Sequence, residues 1–244
     1  MGVLLGVIGV HSCFEGWMDG RLASLPVSPL AQFGNGSMAG TRYFRFVGRA
    51  HSESPLPAVD GAPLALQWVR VDHYKSFLGP DDNRMMPDVF QLRGDANSQL
   101  TVKTAEMDFD LTLRGRNEYI PYRSHEQIER SISKRISPSF SNLRYSTYYG
   151  SKLYVFSVPN DALVTVIGTF ERRSASTPIL RAKVVSLLMG DALDHEVHRI
   201  ASIDQGIGAV FLIMCAALLL KAWSDSSKIR SGRGLFGKPD PKSN

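Results

Sequence analysis

Leu64–Tyr74 reads LALQWVRVDHY. Its apolar members include Leu66, Trp68, Val69 and Val71, and the run alternates as a strand with one face on a core requires. Upstream, Thr41–Ala50 (TRYFRFVGRA) alternates in the same way. Downstream, Asp88–Arg93 and Leu100–Met107 are shorter strand candidates. Lys152–Val158 (KLYVFSV) and Ala162–Arg172 (ALVTVIGTFER) are rich in β-branched and aromatic residues, and Ile179–Val185 makes a last strand. Clusters of Pro, Gly, Asp and Asn divide the runs at Ser54–Pro57, Asp60–Pro63, Gly79–Asn83, Gly94–Asn97 and Pro159–Asp161. Many short strands separated by turns predict a mainly β, α+β domain over residues 41–185, built as a small barrel or sandwich. About 145 residues are enough to bury one core.

One helix is expected to interrupt these strands. Ser124 followed by Gln127 has the form of a capping box, and Ile128, Ile132 and Ile136 repeat every four residues as a narrow apolar stripe. The surrounding insertion, residues 114–144, holds seven basic residues against three acidic ones. A solvated helix face explains that charge most simply. The sharper expectation is that Arg130, Lys134 and Arg135 dock a partner or anionic lipid headgroups. A further helix, from about Val184 to His198, is expected to lead out of the domain.

That helix leads into Gly206–Leu220 (GIGAVFLIMCAALLL), fifteen residues without a charge. Lys221 can snorkel and Trp223 prefers the headgroup zone, so a membrane span is expected over residues 205–223, after a juxtamembrane helix over 186–204. Beyond Leu220 stand six basic residues against two acidic, net +4, while the whole chain is +5. The excess charge is thus concentrated beyond Leu220, at Lys221 and in the tail, residues 224–244. It speaks for membrane orientation rather than nucleic-acid binding. The positive-inside bias places the tail in the cytosol or matrix and the β-domain across the membrane. Gly206, Gly208, Ala209 and Ala216 offer small side chains for close helix packing. Residues 1–40 form an apolar segment and linker. Gly2–Phe14 is uncharged but short for a span, and either a short or tilted membrane helix or a buried segment fits it. It lacks the basic start of a secretory signal and the Arg-rich pattern of a transit peptide.

Other motifs carry little. Gly232–Lys238 (GRGLFGK) has the glycine and lysine spacing of a phosphate loop, but Pro239 stands where Ser or Thr is needed and no strand precedes it. Asp194–His198 (DHEVH) offers two imidazoles and two carboxylates, too few converging ligands for a metal without help from elsewhere. His73 beside Asp72 has no nucleophile in a recognisable setting. The two cysteines, Cys13 and Cys215, build neither a disulfide framework nor a zinc cluster. Asn35-Gly36-Ser37 matches the glycosylation sequon, a pattern common by chance. No catalytic residue, cofactor, metal, nucleotide or nucleic acid is expected.

Several stretches together resemble a known family. Arg42–Ser52 (RYFRFVGRAHS), Ser54-Pro55-Leu56, Gly61-Ala62-Pro63, Leu64–Asp72 and Asp88–Lys103 follow one another as in the GIDE-type domain of organelle-membrane RING ubiquitin ligases. Asn160–Phe170 (NDALVTVIGTF) is similar to that family's apolar strand ending in glycine. The resemblance covers residues 38–223. It implies a domain anchored between two membrane helices, the first of them shortened or lost here, and a mitochondrial or plastid membrane. A RING needs about eight Cys and His ligands for two zinc ions, and residues 224–244 contain none. A non-enzymatic, RING-less relative is therefore expected. The leading expectation is an accessory subunit of a mitochondrial inner-membrane complex, such as one of the respiratory chain. The β-domain would lie in the intermembrane space and the tail in the matrix, with other subunits and the lipid bilayer as partners. The alternatives are a regulatory relative of the ligases, an enzyme with an unrecognised site, and residence in the outer mitochondrial or plastid envelope membrane.

Overall fold

The computed structural model describes residues 2–33, 42–73, 80–95, 98–108, 125–140, 142–144, 151–171 and 178–233. The chain divides into two units, Leu22–Val197 and the terminal segments Met1–Arg21 with His198–Asn244. Asn35, all of the 114–124 stretch including Ser124, and the tail beyond Arg233 lie outside the described residues.

In the first unit, strands β1 (Tyr43–His51), β5 (Val89–Arg93), β6 (Gln99–Lys103), β9 (Ile179–Ser186) and β8 (Leu163–Phe170) close into a barrel in that spatial order. All neighbours are antiparallel except β6 and β9. Counted as the chain enters it, the barrel runs first, second, third, fifth, fourth. That is the Greek-key connectivity of an OB-type barrel. The alternating strands turn Phe46, Phe90, Leu92, Val102, Val166 and Leu180 inward, each at most 2% exposed. Phe46 and Phe170 meet edge to face, with ring centroids 6.0 Å apart. Closure also needs Gly168. A Cβ there would lie 2.1 Å from the Arg181 carbonyl oxygen, where β8 and β9 shift register.

A second sheet is built on β3 (Pro63–His73). β7 (Ser151–Pro159) pairs along one edge of β3, so β2 (Leu56–Pro57) and β4 (Pro80–Met86) share the other. The period of two gives this sheet two working faces. Leu66, Trp68, Phe156 and Val158 join the barrel core. Leu64, Val69, Val71 and Leu153 pack with Ile136 and Phe140, at and beyond the end of α2 (His125–Arg135). Leu64 and Leu66 reach opposite faces because a bulge falls between them. Gln67, 1% exposed, ties the helix down. Its amide donates to Arg135 O at 3.1 Å and Ser157 Oγ at 2.8 Å, and its carbonyl accepts from Ser137 N at 2.8 Å. One orphan carbonyl of the helix end, Arg135 O, and the Ser137 N–H just beyond it are thereby answered by one side chain.

Three expectations need correction. Val184–Ser186 is strand, not helix: Val184 pairs with Ile167 and Val185 with Val166, and all four are fully buried. The helix begins only at Gly190, which takes φ +53°, a conformation open to glycine. Second, Pro80–Asn83 is not merely a turn but the start of β4, an edge strand tolerant of Pro and Asp. Third, the helix of the first residues runs past the uncharged Gly2–Phe14 stretch: α1 covers Gly2–Ala23, 22 residues, although among the described residues it is not one apolar enough to count as a span.

The second unit contains α1 up to Arg21 and α3 from His198 onward. α3 (Gly190–Arg233) is one uninterrupted helix of 44 residues, with no break between the juxtamembrane and spanning segments. Among the described residues it is the one helix long and apolar enough to cross a membrane.

Candidate functional site

The spacing of small residues positions the helix pair. On α1, Gly6, Gly9, Cys13, Gly16 and Gly20 recur at intervals of three and four. On α3, Ala201, Gln205, Gly208, Leu212 and Cys215 do the same. A period of 3.5 keeps such a seam facing its partner along the helix. The two seams meet antiparallel. A Cβ on Gly6 would be 3.1 Å from Cys215 Sγ, one on Gly9 would be 2.9 Å from Gly208 O, and one on Gly16 would be 2.7 Å from Ala201 O. A Cβ on Gly208 would be 2.8 Å from Gly9 O. Backbone approaches backbone, which only residues without bulk permit. The thiol of Cys13 donates to Gln205 O at 3.7 Å. The cysteines occupy different levels of the seam, against Gly208 and Gly6 respectively.

Away from the seam the pair is apolar and bare. Leu4, Val7, Val10 and Phe14 on α1 and Val210, Ile213, Leu219 and Leu220 on α3 are all more than half exposed. Only 6% of the most apolar window of α3 is buried. Aromatic and basic groups bracket the slab. At one end Trp17 stacks under Arg21 at 4.9 Å and near Phe14, and at the other Trp223 follows Lys221. Gly16, beside Trp17, meets Ala201 and Gln205. From there to Trp223 α3 rises roughly 27–33 Å at 1.5 Å per residue, the thickness of a hydrocarbon core. His11 and Glu15 pair at 3.5 Å on the exposed face of α1.

The small residues singled out in the sequence separate into two sets. Gly208 lies inside the α1–α3 seam. Gly206 has no atom within 4 Å of a Cβ position, and Ala209 and Ala216 are exposed. The glycines of α1 escaped the sequence reading, although their three-four spacing was the available signal. Arg130, Lys134 and Arg135 are exposed along α2, with Arg130 paired to Glu126 one turn away.

The β-domain holds two polar nodes. Arg45, 3% exposed, donates to Asp194 Oδ1 at 2.6 Å, Ala23 O at 3.4 Å and Gly190 O at 3.3 Å. Asp194, the first residue of the DHEVH run, is thus engaged by a guanidinium. His51 Nδ1 meets Asp161 Oδ1 at 2.8 Å. Asp161 holds φ +62° with its N–H on Ala50 O, pinning the β7–β8 turn to the end of β1. A groove of about 440 Å³ runs beside Trp68, Met85, Met86, Asp88 and Met107. Among the described residues no three His, Cys, Asp or Glu side chains gather to hold a metal. No protein-family model, curated protein or solved structure matches the chain.

Proposed function

We propose that the chain is a membrane-anchored, non-catalytic interaction module that joins a larger membrane complex through the outer face of its helix pair. The observation that carries this reading is the bare strip of α3 bearing Gly206, Ala209 and Ala216. It lies in an apolar helix whose other small-residue seam is already filled by α1. A strip of this kind lets a neighbouring helix approach closely within lipid. α1, too polar past Phe14 to be a span on its own, enters beside α3 because the seam holds it there.

The resemblance to the GIDE-type domain supports an organelle membrane. On that basis the setting is the mitochondrial inner membrane, with the chain an accessory subunit of a respiratory-type complex. The basic tail lies in the matrix and the β-domain in the intermembrane space. The order helix, β-domain, helix also favours a second reading, a RING-less regulatory relative of the organelle ligases. A subunit is present at constant ratio to its complex, and a regulator is not.

Two glycines separate lateral docking from hairpin integrity. Gly206→Leu should leave the helix pair closed but release the chain from its complex on a native gel in mild detergent. Gly208→Leu should instead splay the pair, because a side chain there collides with Cys13 and Gly9. Undiminished co-migration of the Gly206→Leu protein would remove the lateral-docking reading.

A further inference from the structure

Strands β1, β5 and β6 contain no acidic residue. Their register sets Arg49 opposite Arg93 and His51 opposite Gln91. Residues opposite one another, or two apart on a strand, share a face at about 5–7 Å. Four hydrogen-bond donors therefore form a square on the outside of the barrel. Two guanidinium groups directly across a ladder repel, and the fold bears that cost with no apolar gain, since Arg49 and Arg93 are both exposed.

Existing bonds leave the square as a donor surface. Arg49 Nη1 donates to Asp161 O at 3.0 Å. Asp161 is the carboxylate bonded into the patch, and its oxygens are taken by His51 Nδ1 and by Asn160 Nδ2 at 3.4 Å. The Gln91 carbonyl accepts from Thr101 Oγ1 at 3.3 Å, which leaves its amide N–H groups as donors. The Arg93 side chain has no hydrogen-bond or ion-pair partner among the described residues.

We propose that this square binds a phosphate-type oxyanion, held by the forks of Arg93 and Arg49 with Gln91 and His51 beside them. Guanidinium forks match phosphate geometry, and a bound anion converts the cross-strand repulsion into a shared attraction. The outward positions of β5 and β6 (Val89, Gln91, Arg93, Gln99, Thr101 and Lys103) include no aromatic residue. The patch therefore lacks the stacking platform that single-stranded nucleic acid uses. The phosphate belongs to a soluble small molecule or a lipid headgroup. The inference stands apart from the lateral-docking reading and uses none of its residues.

The test is thermal unfolding of the full chain in phosphatidylcholine nanodiscs, titrated with inorganic phosphate and with pyrophosphate at ionic strength held by chloride. Saturable stabilisation is expected. Arg93→Gln, which loses no internal partner, should keep the ligand-free midpoint and weaken binding by ~10-fold or more. If nanodiscs containing phosphatidylglycerol stabilise the wild type over Arg93→Gln and abolish the response to soluble phosphate, the ligand is a headgroup. A response that persists there identifies a soluble phosphate. Absence of saturable binding, equal affinity in Arg93→Gln, or tighter binding of a single-stranded oligonucleotide would overturn the proposal.

Discussion

Arg45 is a buried charge on which three hydrogen bonds of the β-domain converge. A guanidinium this buried is tolerated because a carboxylate and two carbonyls answer it, although its Nε has no partner among the described residues. Removing it strands Asp194, whose side chain is only 32% exposed, and takes a donor from the carbonyls of Ala23 and Gly190. Arg45→Met should cost about 2–3 kcal/mol and lower the unfolding midpoint by roughly 5–10 °C. The double variant Arg45→Met with Asp194→Leu should recover part of the loss, and a double-mutant cycle in thermal unfolding measures it. Equal melting of Arg45→Met and wild type would show that the node is idle. None of this was legible in the sequence. Arg45 stands at an outward position of an alternating strand, where an arginine reads as solvated, and the Asp194 that helps to cover it lies 149 positions away.

Among the elements, the strands were the most readable. β1, β3, β7, β8 and β9 all fall on runs whose β-branched and aromatic residues the core demands, and the expected small barrel is present. β4 was hidden because PDDNRMM has the composition of a turn, and only its pairing with β3 makes it a strand. The helix predicted from Val184 failed for the opposite reason: those valines are held by β8. The β8–β9 crossing also yields a prediction. The ladder bends so closely at Gly168 that Gly168→Ala must push Arg181 or open the barrel. It should cost about 2 kcal/mol or more by denaturant unfolding, whereas Gly61→Ala, with φ +83° but open space, should cost less. Equal destabilisation by the two would refute the close-contact explanation. The same logic explains the α1 glycines. Their spacing was visible, but an isolated helix rich in glycine looks weak until its partner is known.

At the scale of the whole molecule, composition had already separated an apolar slab and a basic tail from a β-domain. What it left open was what the first residues pack against, and the seam against α3 answers that within the helical unit. An antiparallel pair that inserts together puts the start of α1 and the end of α3 on one side of the bilayer. The proposed topology puts the β-domain between them on the other side. In sealed proteoliposomes, protease should cleave the β-domain or the tail, never both from the same face. Cleavage of both from one side would show that the pair lies along the surface instead of crossing.

The proposed function makes the chain a fixed member of a membrane assembly. It is tested most directly by affinity purification in mild detergent with quantitative mass spectrometry of the co-purifying chains. The account predicts a native complex far larger than the 27.0 kDa chain, in which this subunit keeps a constant ratio to the same partners across preparations. Migration as a free monomer, or partners whose ratio to it varies from preparation to preparation, would contradict it.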